Sequence, residues 1–287
     1  MLLGSIVALG AVLSYPVLPS ATDPAIDQFD SPHRVFLDRD APPRGQVLVY
    51  LPGTGATTSD QDEFGKTAAA LGYHVLYLMY PNDIPAASVQ DDPDPDAFEN
   101  FRREVIDGRD RHANVEVDPP NSILNRLRRA LAWLAANRAE EGWGRFIGAE
   151  GVAWELVALV GHSQGGGHAQ LIAEDHAVAR LVVLGSPKDY SPAFDRPAAW
   201  YGGGATPAAR QFAFVHTQDT QACSYEQQLE NLALSGITRV TTTDHPGTPI
   251  NSALAHLGLV FDFTLPKRDG EIVYRSIWKE MLTAPTE

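Results

Sequence analysis

The sequence contains a single cysteine, Cys223, so no disulfide can form within the chain. It also has no His-Glu-x-x-His zinc signature, and its 9 histidines do not cluster at metal-ligand spacing. Positive charge is scarce, because 22 Lys and Arg stand against 36 Asp and Glu, which gives a formal net charge of −14. These absences exclude a disulfide framework, give no support to a metal site, and argue against nucleic acid or anionic lipid as the main partner.

The only signal for targeting or membrane insertion lies at the start of the chain. The first 25 residues, MLLGSIVALGAVLSYPVLPSATDPA, contain an apolar run of signal-peptide length followed by Pro and small residues. The segment lacks the Lys or Arg of a signal's first region and is too short for a membrane span. We interpret residues 1–30 as a leader. A cleaved signal peptide would make the protein periplasmic or secreted, whereas an N-terminal strand or a misplaced start would leave it cytoplasmic.

The rest of the composition is typical of a folded globular protein. Hydrophobic residues make up 44% and charged residues 20%, so the chain can bury a substantial core. After residue 30, strand-like and helix-like segments alternate, which predicts an α/β fold with a mostly parallel sheet covered by helices on both faces. We expect one domain over residues 31–287, with insertions at about 82–120 and 191–210.

The individual segments are defined by apolar periodicity and by Gly and Pro. Two strands at 33–39 and 45–52 open the domain, and two antiparallel strands are expected to precede the parallel set. The segments that follow are strands at 73–81, 154–160, 179–185, 211–217 and 236–242, and helices at 62–72, 121–138, 224–235 and 271–283, with a further helix from about residue 165.

The two insertions have different compositions. The first begins with DDPDPD (91–96), whose alternating Asp residues resemble a calcium loop. Ala97 stands where such a loop needs Gly and Arg103 where it needs a bidentate Glu, so we predict a solvated loop. The second insertion is rich in Pro, Gly and Ala and lies between two strands. It is either a wall of a substrate pocket or a poorly ordered surface loop.

The most informative segment reads LVALVGHSQGGGHAQ (156–170). Ser163 follows a short buried strand, lies between Gly161 and Gly165, and precedes a helix of small residues. This strand–turn–helix context is what a nucleophile elbow requires, since the Ser hydroxyl must project from a tight, strained turn. The flanking glycines allow strand and helix to approach closely. The segment therefore predicts that Ser163 is a nucleophile.

This segment resembles the nucleophile elbow of the α/β-hydrolase superfamily, and the resemblance covers nearly the whole chain after residue 30. More narrowly, RREVIDGRD, EGWGRF, GHSQGGGHA and VARLVVLGSPKDY resemble a group of bacterial serine hydrolases, many of them exported. The group often carries a Cys pair in the acidic insertion, and this sequence has none there. The resemblance implies an α/β-hydrolase fold with antiparallel strands at the N-terminal edge of the sheet and a Ser–acid–His catalytic triad.

The acid and the base are expected after the nucleophile, in that order along the chain. Asp219 follows the strand QFAFVHT and is the favoured acid, with Asp189 after the preceding strand as the alternative. His256 is the favoured base, because a Pro-containing loop and a small residue precede it as in the resembling group. His245 is the alternative base. His162 and His168 flank the nucleophile and are expected to line the pocket.

An oxyanion hole needs two N–H donors near the nucleophile. Gln164, at the N-terminus of the helix, supplies the first. The loop PGTG after the strand 45–52 places Thr54 at the position of the second, between two glycines. With these groups, acyl transfer requires no metal and no cofactor.

The sequence therefore predicts a serine hydrolase, specifically a carboxylic-ester hydrolase acting on a small-molecule ester or related acyl substrate. A Ser nucleophile counts against haloalkane dehalogenation, which needs a carboxylate at that position. An amidase, peptidase or thioesterase of the same fold is the first alternative, because a triad does not choose the leaving group. A non-catalytic binding protein of the same fold is the second. Nucleic acid and a stable membrane span are not expected.

Overall fold

A computed structural model describes residues 12–149 and 151–286 of the 287-residue chain. Each strand and helix predicted after residue 30 overlaps an element of the structure. The strands are β1 Leu13–Val17, β2 His33–Leu37, β3 Val47–Leu51, β4 His74–Tyr77, β5 Val157–His162, β6 Arg180–Leu184, β7 Tyr190–Ser191, β8 Arg196–Pro197, β9 Gln211–His216, β10 Arg239–Thr243, β11 Lys267–Arg268 and β12 Glu271–Ile272. The α-helices are α1 Pro19–Thr22, α2 Asp62–Ala70, α3 Ala97–Asp107, α4 Ile123–Asn137, α5 Gln164–Asp175, α6 Tyr225–Leu234, α7 Ser252–Leu257 and α8 Arg275–Thr283.

Eight of these strands form one sheet in the order β1-β2-β4-β3-β5-β6-β9-β10. Every pair from β4 to β10 is parallel, whereas β2 is antiparallel to both β1 and β4. This is the strand order of the α/β-hydrolase fold, and the expected antiparallel edge is confirmed. The antiparallel pairs involve β1 and β2, while the early strand predicted at 45–52 lies inside the parallel set.

Helices cover both faces of the sheet because side chains alternate along each strand. On one face, Val49 of β3 belongs to the same buried cluster as Leu131 of α4 and residues of α3 and α5. On the other, Tyr50 packs with Phe64 of α2, whose ring meets Trp278 of α8 edge to face at 5.3 Å. Both clusters consist of buried, mostly apolar side chains, so the sheet is a firmly packed support for the side chains at its carboxyl ends.

The N-terminal segment is only partly described. Residues 1–11, which belong to the segment interpreted as a leader, lie outside the described residues. Leu13–Val17 forms strand β1, and the Tyr15 hydroxyl donates to Glu141 at 2.6 Å. No helix within residues 12–149 and 151–286 is long and apolar enough to cross a membrane. Export stays a prediction, and a cleavage beyond residue 17 would remove an edge strand of the sheet.

The two insertions are more structured than the sequence indicates. The acidic run 91–96 is largely exposed, but α3 follows it directly and buries Phe101 and Arg102. In the described part of the chain, no group of three or more His, Cys, Asp or Glu side chains could hold a metal ion. The second insertion pairs β7 with β8 and buries Trp200 and Tyr201. Both insertions therefore add side chains to the core near the carboxyl ends of the strands.

Candidate active site

Ser163 lies between the end of β5 and the start of α5. Its backbone has φ 53° and ψ −122°, a conformation that non-glycine residues rarely adopt. The Ser163 N–H donates to the carbonyl oxygen of Leu184 at 2.9 Å, which fastens the turn to the neighbouring strand β6. The side chain is partly exposed, while His162 and Gln164 on either side are buried. The tight, strained turn predicted from the sequence is present.

The flanking glycines are required by close backbone approach. A Cβ at Gly161 would collide with the backbone of Gly165, and a Cβ at Gly165 would collide with the carbonyl oxygens of Leu51 and Pro52. Backbone atoms cannot rotate away as a flexible side chain can, so neither position admits a side chain without moving the strand or the helix. The close packing predicted for these two glycines is confirmed.

His256 and Asp219 form a buried pair beside this turn. His256 Nδ1 lies 2.7 Å from Asp219 Oδ2, and the two residues are 7% and 0% exposed. Asp219 follows β9, and His256 lies in α7. A Cβ at Gly185 would come within 3.1 Å of His256 Nδ1. The imidazole therefore packs against Gly185. The preceding residue, Leu184, accepts the hydrogen bond of the Ser163 N–H.

Asp219 is surrounded by donors. Besides His256, Lys188 Nζ lies 3.0 Å from Oδ2, and the N–H of Gln221 donates to Oδ1 at 3.0 Å. Burial alone would raise the pKa of Asp219, but the hydrogen bond and charge of His256 and the charge of Lys188 outweigh burial and hold this pKa below its ordinary value. Asp219 is thus kept as a carboxylate.

Lys188 was not identified by the sequence analysis. Its side chain is 7% exposed, and it enters the site from the segment that follows β6. A lone lysine in a loop is usually solvated, so its residue type carries no signal for burial. The position of Lys188 in the sequence did carry a signal for a place in the site, because Lys188 directly precedes the alternative acid Asp189 at the carboxyl end of a parallel strand.

The loop after β3 brings Thr54 against the Ser163 turn. A Cβ at Gly53 would lie 3.0 Å from Ser163 Cβ, and the Thr54 hydroxyl donates to Gln164 Oε1 at 2.7 Å. Asn82 donates to the Gly53 carbonyl at 2.7 Å, which fixes the loop. Among the described residues, the backbone N–H groups of Thr54 and Gln164 have no hydrogen-bond partner. Both N–H groups are therefore available beside the turn, and their role in an oxyanion hole stays a prediction.

Asp189, the alternative acid, is occupied by a different partner. Arg102 of α3 holds it with two hydrogen bonds, Nε to Oδ2 at 2.5 Å and the second guanidinium nitrogen to Oδ1 at 2.6 Å. The Trp200 indole N–H also donates to Oδ2, at 2.9 Å. Arg102 further donates to the carbonyl oxygen of Gln164 at 3.0 Å, so this pair braces the first turn of α5. Within residues 12–149 and 151–286, no hydrogen bond joins Asp189 to a histidine.

His245, the alternative base, lies in a different place. Its carbonyl oxygen accepts hydrogen bonds from His216 Nε2 at 2.9 Å and from the Tyr274 hydroxyl at 3.3 Å. Together with these two residues it lines a separate cavity of about 200 Å³, which does not contain Ser163. The structure thus brings His256, and not His245, to the cavity of the candidate nucleophile.

The two histidines that flank Ser163 differ from each other. His162 lines the cavity as expected. Its ring centroid lies 4.5 Å from that of His256, and burial lowers the pKa of His162 to about 3, so it stays neutral. The expectation for His168 is wrong. It is fully buried against Tyr80 and does not line this cavity, because its position on α5 faces the core.

Four of the candidate residues, Ser163, His256, Thr54 and Gln164, line one cavity of about 360 Å³, while the fully buried Asp219 contacts His256 without lining it. The cavity is also lined by the charged side chains of Arg102, Lys188 and Asp189. Arg102 is paired with Asp189, and Lys188 is paired with Asp219. None of the described lining residues belongs to the second insertion, which therefore does not form a wall of this pocket. The apolar part of the lining consists of Pro85, Ala86, Ala87, Ala222, Ala253, Leu257 and Phe261.

Comparison with known proteins gives a likeness in structure alone. No family model matches the sequence, and no curated protein does. Solved structures do match, among them the crystal structure of MGS-M1, an alpha/beta hydrolase enzyme from a Medee basin deep-sea metagenome library. The chain is 14% identical to it over 96% of this chain and 99% of that one, with a TM-score of 0.47. At this identity the likeness concerns the fold and assigns no residue a role.

Proposed function

We propose that the protein is a serine hydrolase, specifically a carboxylic-ester hydrolase that works through an acyl-enzyme on Ser163. One observation carries the proposal. The strained turn at Ser163 opens into the same cavity as His256, which is hydrogen-bonded to the buried Asp219. A serine on such a turn, an imidazole and a carboxylate are the three groups that acyl transfer to serine needs.

In the proposed first step, Ser163 Oγ attacks the ester carbonyl carbon and His256 Nε2 takes the hydroxyl proton. The hydrogen bond at Nδ1 supports this assignment, since an ionised Asp219 accepts the Nδ1 proton and leaves Nε2 as the basic nitrogen. Among the described residues, no hydrogen bond joins the Ser163 hydroxyl to the His256 ring. Such contacts often tighten only in the Michaelis complex.

The negative charge that develops on the carbonyl oxygen would be bound by the N–H groups of Thr54 and Gln164. Gln164 opens α5, so the helix dipole adds to this stabilisation. His256 then gives its proton to the departing alcohol, and the acyl group stays on Ser163. Water then attacks the acyl carbonyl carbon while His256 accepts a proton from the water molecule. The bond between the acyl carbon and Ser163 Oγ breaks, His256 returns the proton to Oγ, and the carboxylic acid is released.

The cavity supports a small, neutral ester as the substrate. Arg102 and Lys188 are each neutralised by a buried carboxylate, so neither offers a free positive charge to an anionic substrate. The volume of about 360 Å³ lies at the lower end of ligand pockets, and the apolar walls are mostly Ala and Pro. We therefore propose a short acyl chain.

A panel of p-nitrophenyl esters of increasing acyl length, assayed beside matched amides and thioesters, tests this proposal. We expect the short esters to be hydrolysed fastest and Ser163→Ala to lose several orders of magnitude in kcat. Turnover confined to amides or thioesters would replace the ester assignment with one of those activities. A protein that turns over none of them and fails to react with a fluorophosphonate would be a binding protein instead.

A further inference from the structure

One oxygen atom of Asp219 contacts both the ammonium group of Lys188 and the imidazole of His256. His256 Nδ1 lies 2.7 Å from Oδ2, and Lys188 Nζ lies 3.0 Å from the same atom. Lys188 Nζ is also 3.4 Å from the Asp219 carbonyl oxygen. Because both groups contact one atom, the ammonium and the imidazole are within about 6 Å of each other, a range in which charges interact strongly when they are buried.

A triad without such a lysine has an uncompensated charge in its resting state. While the imidazole is neutral, the acid is a buried carboxylate that only hydrogen-bond dipoles stabilise. Protonation of the imidazole is then favoured, because it supplies the carboxylate with a counter-charge. Asp219 is 0% exposed, so this cost would be large here. Lys188 supplies a full positive charge to the same oxygen in the resting state. The carboxylate therefore contributes less favourable free energy to protonation of His256.

We propose that Lys188 is a positioning residue of the proposed esterase: it is the resting-state counter-ion of Asp219, and it moves the pH range of activity downward by opposing protonation of His256. This inference rests on the proposed function. Lys188 does not take part in proton transfer in this account. It acts through Asp219, by holding the carboxylate in place and by adding a positive charge close to the imidazole.

The other titratable groups around His256 do not supply the same effect. His162 lies against the His256 ring but is neutral at working pH, because burial lowers its pKa to about 3. Asp189, which also lines the cavity, is neutralised by the bidentate Arg102 pair. Cys223 is buried nearby, and burial raises the pKa of its thiol to about 12, so it carries no charge. Lys188 is thus the cation bonded directly to the acid.

The test compares the pH profile of kcat/KM for the parent, Lys188→Gln and Lys188→Arg, with a short p-nitrophenyl ester from about pH 5 to about pH 9. Lys188→Gln removes the charge and keeps a hydrogen-bond donor. We expect it to move the midpoint of the rising limb upward by at least about 1 pH unit, the lower end of the effect of one charge at this range. Lys188→Arg keeps the charge and should keep the parent midpoint.

A lysine that only supports the fold would give a different result. Its replacement would lower kcat/KM at every pH and leave the midpoint unchanged, and that outcome would overturn the proposal while the esterase assignment stood. If Lys188→Gln does not fold, Lys188→Met gives the same comparison with an apolar side chain of similar length.

An NMR titration of the His256 ring protons in a Ser163→Ala background separates this proposal from the proposed function, because it needs no turnover. An upward shift of the His256 titration on Lys188→Gln supports the role of Lys188 even if no ester is hydrolysed. Coincident titrations would contradict it even in an active esterase.

Discussion

Two buried carboxylates lie at the carboxyl ends of neighbouring strands, Asp189 after β6 and Asp219 after β9. The side chains that bind these two carboxylates differ in kind. Asp189 is held by the guanidinium of Arg102 and the indole of Trp200, which are permanent donors at any working pH. Asp219 is held by the ammonium of Lys188 and by the imidazole of His256, a side chain that can both accept and donate a proton in catalysis. Both acids are almost fully buried, so burial does not distinguish them. What distinguishes the candidate catalytic acid is a partner that can exchange a proton.

The largest expected effect concerns the two candidate bases. His256→Ala should lower kcat by about 10⁴- to 10⁶-fold, because the groups of a triad act as a unit. His245→Ala is the matched control, since that residue lines another cavity, and its kcat should stay within about threefold of the parent. Steady-state hydrolysis of a short ester measures both. Equal losses in the two variants would remove the distinction between the two histidines.

The next effect contrasts the two acids directly. Asp219→Asn should lower kcat by about 10⁴-fold, because an amide favours the wrong imidazole tautomer and cannot stabilise the imidazolium. Asp189→Asn leaves Arg102 as a buried charge with no counter-ion, which typically costs about 3–5 kcal/mol of folding free energy. Measured per folded molecule, its kcat should fall by less than about tenfold. The opposite ranking of kcat would make Asp189 the acid.

The smallest effect concerns pH and stability. His162 has a pKa of about 3 in the fold against 6.5 ordinarily, so it is neutral when folded and protonated when unfolded below about pH 6.5. Unfolding then takes up a proton, and stability falls as the pH is lowered through that window. Between pH 7 and pH 5 this one residue should account for about 2 kcal/mol.

Denaturant unfolding of the parent and of His162→Gln at pH 7 and pH 5 measures how much of the change in the free energy of unfolding is due to His162. Glu174, whose pKa burial raises to about 7, acts in the opposite direction, but it is common to both proteins and cancels in the difference. A parent and variant that lose the same free energy on acidification would show that His162 does not titrate as its burial requires.

The parts that the sequence predicted are those fixed by local pattern. Apolar periodicity located the strands, and the glycines around Ser163 signalled a turn whose geometry only glycine permits at its flanks. Chain order within this fold then restricted the acid and the base to a few positions, and the structure places the favoured Asp219 and His256 in contact.

The parts that the sequence missed depend on contacts between distant segments. Arg102 and Asp189 are 87 residues apart, and nothing in either segment indicates that they pair. Strand β1 lies in a segment whose apolar composition equally suits a leader, and only its pairing with β2 shows it to be a strand. Lys188 is buried because Asp219 compensates its charge, which no property of the residue itself reveals.

Labelling with a fluorophosphonate, followed by intact mass and peptide mapping, tests most directly the claim that Ser163 is a nucleophile activated by His256. The parent should gain one probe per chain, on the peptide that contains Ser163, and His256→Ala should gain almost none in the same time, whereas His245→Ala should react at close to the parent rate. Labelling of a different residue, or labelling of His256→Ala at the parent rate, would contradict the account.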